Sequence, residues 1–239
     1  MRYLVLLYGD ETVSPAEGTP EWDADLARYM AFDELAGEAI VAGEALQGNA
    51  SCRTIRHDGA AVRVTAGPFA ETVEGLGGFY VLDAPTLDDM IELVCHIPAV
   101  NDGGIEVRPM VEWVDRGPRP PADGEARYFA TIHGAETAAE EPGSPGWEAG
   151  AAEHGRFGKE AGEAMRAGGA VHPTTTASTV RVRDGEVLVS DGPYAELMEV
   201  VGGFYVLQGE PDAVADLAGR IPVPERGAVE LRPIMELGG

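Results

Sequence analysis

The feature that most constrains this chain is an internal repeat. Residues 66–71 read AGPFAE and are followed by GGFYVL at 77–82; residues 191–196 read DGPYAE and are followed by GGFYVL at 202–207. Because whole segments recur in the same order at a spacing of 125 residues, the sequence predicts two copies of one structural unit.

The repeat sets the predicted domain boundaries. Residues 1–114 form the first copy, 126–239 form the second, and the proline-rich segment 115–125 between them has no apolar periodicity and is typical of a linker. A chain of 239 residues is long enough for two domains of ordinary size.

Each copy is predicted to run as strand, long helix, hairpin, strand, short helix, strand. Residues 3–8 are apolar on both alternating sets, as in a strand that is covered on both faces. A helical face follows from Trp22 to Ile40, with Gly43 as its terminator. Asp58-Gly59 marks a hairpin turn, and Thr86 opens the second helix.

The same pattern restarts after the linker. Residues 127–133 repeat the first strand, the face from Trp147 to Met165 repeats the helix, and 183–186 repeat the hairpin turn. Hairpin-linked strands with segregated helices predict an α+β fold of two tandem ferredoxin-like domains. Because several strands are apolar on both sides, we expect the two halves to pack sheet to sheet as a pseudo-symmetric dimeric α/β barrel with a lumen between them.

Composition excludes several classes of partner. With 17 basic and 41 acidic residues, the formal charge of −24 argues against binding to nucleic acid or to anionic membranes. No apolar run reaches the roughly 20 residues of a spanning helix, so we predict a cytoplasmic protein. Cys52 and Cys95 show no metal-ligand spacing, and neither a metal nor a cofactor is predicted.

The motifs at 191–196, 202–205 and 230–233 resemble those of the DGPF group of the YCII-related family, and the resemblance extends over both halves. It implies a ferredoxin-like unit that pairs into a dimeric α/β barrel, with the pair fused here into one chain that needs no second copy. The biochemical role of the family is largely unassigned. The resemblance also implies a His and Asp enzymatic pair in a cleft, and a link to extracytoplasmic-function sigma factors.

The two copies depart from the family's usual DGPFAETKE in different ways. Neither copy keeps the lysine, and only the second keeps the aspartate, as Asp191 where the first has Ala66. His154 likewise stands where the first copy has Tyr29. If there is a site, we therefore expect its acid–base chemistry to lie in the second half.

The catalytic candidates are Asp191 and His154. His154 lies on the apolar helix face, where it is either a packed histidine or a general base. Asp191 precedes Gly-Pro, where it either caps a turn or works as an acid or base at the mouth of the lumen. Glu71 and Glu196 recur in both copies and are candidate polar anchors for a ligand.

The remaining ligand-binding candidates come from the loops and the closing strands. Arg108 and Arg232 follow Glu106 and Glu230 on one strand face, so each either pairs with its glutamate or binds a carboxylate or phosphate. Of the loop aromatics, Phe69 and Tyr194 are either core or pocket residues.

Two functions follow as hypotheses. The first is a protein that binds an unknown small molecule in the lumen, with weak acid–base activity as an extension. The second is a regulatory interaction module associated with a sigma factor.

Overall fold

The computed structural model describes residues 1–58, 61–69, 74–194 and 199–237. The first half contains β1 (Arg2–Asp10), α1 (Pro20–Ala36), β2 (Ile40–Ala45), β3 (Arg53–Asp58), β4 (Ala61–Ala66), β5 (Glu74–Asp83), α2 (Leu87–Val94), α3 (Ala99–Asp102) and β6 (Gly104–Asp115). The second half contains β7 (Ala126–Ala135), α4 (Pro145–Ala161), β8 (Met165–Val171), β9 (Ser178–Arg183), β10 (Glu186–Asp191), β11 (Glu199–Gly209), α5 (Pro211–Ala218) and β12 (Ala228–Pro233). Over the described ranges, no helix combines the length and the apolarity that crossing a bilayer requires.

The chain divides into two compact units, and each takes its hairpin from the opposite half of the sequence. Unit 1 comprises Met1–Gly48, Thr72–Pro109 and Thr175–Glu196, and unit 2 comprises Asn49–Glu71, Met110–Thr174 and Leu197–Gly239. The hairpin β9–β10 therefore belongs to unit 1 and the hairpin β3–β4 to unit 2. The predicted boundaries follow the repeat along the sequence, whereas the compact units follow the contacts.

The sheet of unit 1 has the order β2-β5-β1-β6-β9-β10, and all neighbours are antiparallel. Strand β1 is central, with Val5 opposite Tyr80 on one side and Val107 on the other. The first four strands have the order of a ferredoxin-like fold, and β9 extends that sheet by pairing with β6. The predicted α+β class is thereby confirmed.

Unit 2 repeats this arrangement. Its sheet has the order β8-β11-β7-β12-β3-β4, again antiparallel, and residues 110–115 of β6 pair with the outer edge of β8. Strands β8, β11, β7 and β12 correspond to β2, β5, β1 and β6, so both copies build the same four-stranded core.

Each unit has its own apolar core under its helices. In unit 1, Phe32 of α1 and Met90 and Val94 of α2 pack with the inner side chains of β1, β5 and β6. In unit 2, Phe157 of α4 and Val214 and Ala218 of α5 do the same with β7, β11 and β12. The alternate residues of the central strands, such as Leu4, Leu6 and Phe129, are also fully buried, as the doubly apolar patterns predicted.

Local sequence signals explain several element ends. Thr86 and Asp89 form the reciprocal capping box at the start of α2. Asp184 and Gly185, at the tip of the β9–β10 hairpin, both have positive φ, as a type I′ turn requires. The corresponding turn prediction in the first half falls partly on Gly59, which lies outside the described residues.

The prediction of the long helix was wrong at its C-terminal end, and strands β2 and β8 were missed. The helix ends at Ala36, and the face residue Ile40 instead begins β2, which pairs with β5. In the second half the helix ends at Ala161, and Met165 begins β8. Both strands are rich in alanine and glycine, so their sequences carry little β propensity, and pairing with a central strand determines their conformation.

Candidate functional site

Unit 1 contains a buried ion pair whose glutamate accepts a hydrogen bond from the Gly-Pro loop of the second half. Glu106 and Arg108 are only 4% and 1% exposed, and Glu106 Oε1 lies 3.0 Å from Arg108 Nη1. The other carboxylate oxygen, Oε2, accepts a hydrogen bond of 2.9 Å from the Tyr194 backbone N–H. The Glu106 carboxylate is thus satisfied by one guanidinium and one amide.

The ring of Tyr194 is held in a layered contact. It stacks on Tyr8 with centroids 4.4 Å apart and ring planes 8° from parallel, and the Arg181 guanidinium carbon lies 4.1 Å from its centroid. A Cβ atom at Gly104 would come within 2.4 Å of the ring, so glycine permits the close approach. Burial, followed by the neighbouring Glu74, raises the pKa of Tyr194 to about 12.

Unit 2 contains the equivalent cluster around Phe69. Glu230 Oε1 lies 2.8 Å from Arg232 Nη2, and its Oε2 accepts a hydrogen bond of 2.7 Å from the Phe69 backbone N–H. The Phe69 ring stacks on His133 at 4.5 Å, and the Arg56 guanidinium carbon lies 4.5 Å from its centroid. Although burial acts to raise it, the charge of Arg232 holds the pKa of Glu230 below its ordinary value.

His133 differs chemically from Tyr8, its counterpart in unit 1. Its Nε2 lies 2.8 Å from Thr131 Oγ1, while the buried Nδ1 has no hydrogen-bond partner among the described residues. Burial lowers the pKa of His133 to about 4, against the raising effect of Glu230. The imidazole is therefore neutral at pH 7.

The glycine of each Gly-Pro motif has a structural reason. Gly67 and Gly192 have φ of 97° and 102°, a region that side chains disfavour. The Gly192 N–H donates to the Ala177 carbonyl, and Thr179 Oγ1 donates to the Gly192 carbonyl. Thr54 makes the same bond to Gly67. These contacts bring the following aromatic residue to its buried glutamate.

For four of the six ligand-binding candidates, Arg108, Arg232, Phe69 and Tyr194, the contacts support the structural alternative. Both arginines are enclosed with a glutamate, and both aromatic rings lie between an arginine and a ring of the first strand. The sequence-based reading missed Arg56 and Arg181, although they recur at the same spacing of 125 residues as the motifs.

Asp191 lies apart from this packed cluster, at the end of β10 and opposite Ser178 of β9. Its side chain is exposed and has no hydrogen-bond or ion-pair partner in the described part of the chain. It forms part of the wall of a cavity of about 450 Å³ within unit 1. The described lining of this cavity is Met1, Tyr3, Pro85, Thr86, Leu87, Pro109, Thr175, Thr176, Ala177, Ser178 and Asp191.

The other catalytic candidate, His154, belongs to unit 2, whereas Asp191 belongs to unit 1. His154 Nδ1 lies 3.0 Å from the Tyr205 hydroxyl, and burial lowers the pKa of its imidazole. The geometry supports a packed, hydrogen-bonded histidine. The candidate anchors Glu71 and Glu196 lie outside the described residues.

A second cavity, of about 570 Å³, lies within unit 2 between α4 and the segment after α5. Two of its arginines already have carboxylate partners. Arg220 Nη1 lies 2.9 Å from Glu160 Oε1, and Arg156 Nη2 lies 3.5 Å from Glu153 Oε1. These charged side chains of the unit 2 cavity are paired with each other, whereas Asp191 of the unit 1 cavity has no partner among the described residues.

Comparison with known proteins finds a matching family model, a relative and a solved structure. The family model of the YCII-related domain matches the chain twice, over residues 1–114 and 128–238. A relative, Uncharacterized protein R00369 of Rhizobium meliloti (strain 1021), is 34% identical over 114 residues, which cover 46% of this chain and 92% of the relative. A solved structure provisionally described as the chlorite dismutase TA0507 is 12% identical with a TM-score of 0.40, covering 98% of this chain and 94% of the other.

Proposed function

The chain belongs to the YCII-related family, and we propose that it binds a small organic molecule in the cavity of unit 1. The observation that carries this proposal is the position of Asp191. It is a carboxylate on a cavity wall with no partner among the described residues, in a unit whose buried Glu106 is fully paired.

The cavity has the size and the composition of a ligand site. Its volume of about 450 Å³ falls within the roughly 300–1,000 Å³ of small-molecule pockets. Half-buried apolar side chains such as Leu87 and Pro109 supply contact area, and the exposed hydroxyl of Thr175 can form a hydrogen bond. Both halves of the sequence contribute to the wall.

Catalysis is a separate extension of the proposal. An acid–base reaction in this cavity would use Asp191, because no histidine is among the described lining residues. The pairing of Asp191 with His154 and the link to a sigma factor both rest on the family resemblance alone. Binding is therefore the function that the geometry supports best.

Three probes with one six-carbon chain test the binding proposal: 1-hexanol, hexanoate and hexylamine, each titrated against the full chain in 150 mM salt. We expect saturable shifts of the backbone amide NMR signals of Thr175, Ala177 and Ser178 with at least one probe. The Thr175→Trp variant, which places an indole in the cavity from an exposed position, should remove them. If no probe gives saturable shifts, or if Thr175→Trp leaves them unchanged, the proposal is wrong.

A further inference from the structure

One of the differences in charge between the two copies lies at the wall of the unit 1 cavity. In unit 1, Ser178 of β9 lies opposite Asp191 of β10. In unit 2, Arg53 of β3 lies opposite Ala66 of β4 at the equivalent register. The pair therefore carries a negative charge in unit 1 and a positive charge in unit 2.

Arg53 shows what occupies this place in unit 2. Its Nη1 lies 3.3 Å from Oδ1 of Asp212, the second residue of α5. The contact thus joins the start of β3 to the start of α5. In unit 1 the corresponding starts, at Ser178 of β9 and Leu87 of α2, are both walls of the cavity.

The position of a tyrosine in each copy supports the correspondence between the cavity wall of unit 1 and the Arg53–Asp212 contact of unit 2. Tyr3 lines the cavity in unit 1, and its counterpart Tyr128 lies at the same register of the first strand in unit 2. The charges of Arg53 and Asp212 both act on the pKa of Tyr128, which burial raises. The charge of Arg53 therefore acts on the tyrosine whose counterpart in unit 1 lines the cavity.

From this internal comparison we infer that the unit 1 cavity takes a ligand with a cationic head, an ammonium or guanidinium group, on an apolar body. The head binds Asp191 where unit 2 has its own guanidinium, and the body lies against Leu87 and Pro109. This inference rests on the proposed function, because it names the ligand class of the same cavity.

The charge of the whole chain does not give this specificity. A formal charge of −24 attracts any cation weakly, and 150 mM salt screens charges more than about 8 Å away. Discrimination between an amine and an alcohol of equal length must then come from a carboxylate in contact with the head. Asp191 is the described carboxylate of the cavity wall.

The test compares hexylamine, hexylguanidine, 1-hexanol and hexanoate by isothermal titration calorimetry on the full chain at pH 7 in 150 mM salt. Hexylamine or hexylguanidine should bind about two- to fivefold more tightly than 1-hexanol, as one exposed ion pair allows, and hexanoate should bind most weakly of the four probes. Asp191→Asn should reduce the affinity for the cationic probes to that for 1-hexanol and leave 1-hexanol unchanged.

A matched variant separates contact from net charge. Asp184→Asn makes the same charge change at the tip of the same hairpin, where asparagine also tolerates the positive φ of 54°. It should leave the affinity for hexylamine unchanged. An equal loss in Asp184→Asn and Asp191→Asn would overturn the inference.

The remaining outcomes distinguish the two proposals. If 1-hexanol or hexanoate binds in the cavity at least as tightly as the cationic probes, the ligand class is wrong and the binding proposal stands. If none of the four probes binds, both are wrong.

Discussion

The Gly-Pro loops of the two units make the same backbone contacts and differ in the rings that they stack. Each loop presents an amide to a buried glutamate, Glu106 or Glu230, that is paired with an arginine two residues later. The ring after the proline meets Tyr8 in unit 1 and His133 in unit 2. Shared contacts of this kind identify the scaffold that both copies need.

Beyond the scaffold, the copies diverge where Ser178 and Asp191 in unit 1 replace Arg53 and Ala66 in unit 2. Unit 2 has an exposed ion pair between Arg53 and Asp212 at this place, whereas the corresponding residues of unit 1 line a cavity. We infer that the contacts shared by both copies stabilise the fold, and that positions that differ between the copies, such as Asp191, hold the candidate ligand-binding residues. The following experiments test that division.

The largest effect is expected from breaking the buried ion pairs. Glu106→Ala removes the Glu106 carboxylate from a site where Arg108 is 1% exposed, so the free energy of unfolding should fall by about 3–5 kcal/mol. Glu230→Ala should cost a similar amount. Urea unfolding of both variants measures this, with Asp83→Ala as the control.

The control removes the partner of Arg2 in a partly exposed bridge of 2.7 Å, which should cost less than about 1 kcal/mol. If only one of the two glutamate variants is strongly destabilised, the pairs are not equivalent parts of one scaffold. If neither is, the pairs are not needed for stability.

A pH dependence should follow from His133, which stands where unit 1 has Tyr8. Its pKa is about 4 in the folded protein against 6.5 ordinarily, so the unfolded chain binds the proton more tightly. The His133 contribution is complete above pH 6.5 and is lost as the pH falls towards 4, by roughly 3 kcal/mol. His133→Phe should remove this part of the pH dependence.

Chemical denaturation of the wild type and His133→Phe between pH 4 and 7 isolates the effect, because other titrating groups are common to both proteins. Tyr8→Phe, the matched change in unit 1, should leave the slope over this range unchanged. Parallel stability curves for wild type and His133→Phe would contradict the prediction.

A smaller effect is expected at Gly104. An alanine Cβ would lie 2.4 Å from Cε2 of Tyr194 and 2.9 Å from Cγ of Arg181, so Gly104→Ala should destabilise the protein by about 1–3 kcal/mol. The cost should fall in the background of Tyr194→Ala, which removes the ring and leaves only the contact with Arg181. Thermal unfolding of the double-mutant cycle measures the coupling, and Gly77→Ala, with open space at its Cβ, is the control.

The smallest effect on stability is expected at Asp191. Asp191→Ala makes unit 1 resemble unit 2 at this position, and because the side chain is exposed without a described partner, the free energy of unfolding should change by less than about 0.5 kcal/mol. Arg53→Ala, which breaks an exposed bridge, should cost less than about 1 kcal/mol. If Asp191→Ala lowers the free energy of unfolding by more than about 1 kcal/mol, Asp191 is part of the scaffold.

The sequence by itself determined the duplication, the α+β class and most element types. Repeated motifs, doubly apolar strands and the turn at Asp184-Gly185 are local signals, and each acts within a few residues of its own position. The same signals failed at Ile40 and Met165, because β2 and β8 depend on a partner strand that is distant in sequence.

The tertiary structure alone decided which residues meet. The candidates Arg108, Tyr194 and Asp191 were all visible in the sequence, but only the exchange of hairpins brings Tyr194 to Glu106 and Asp191 to the cavity beside Tyr3. Glu106 and Tyr194 are separated by 88 residues, and no local pattern encodes a contact of that range. The sequence determines which side chains are charged. Whether a charged side chain is paired, like Glu106, or open to a ligand, like Asp191, depends on the neighbours that it has in the folded protein.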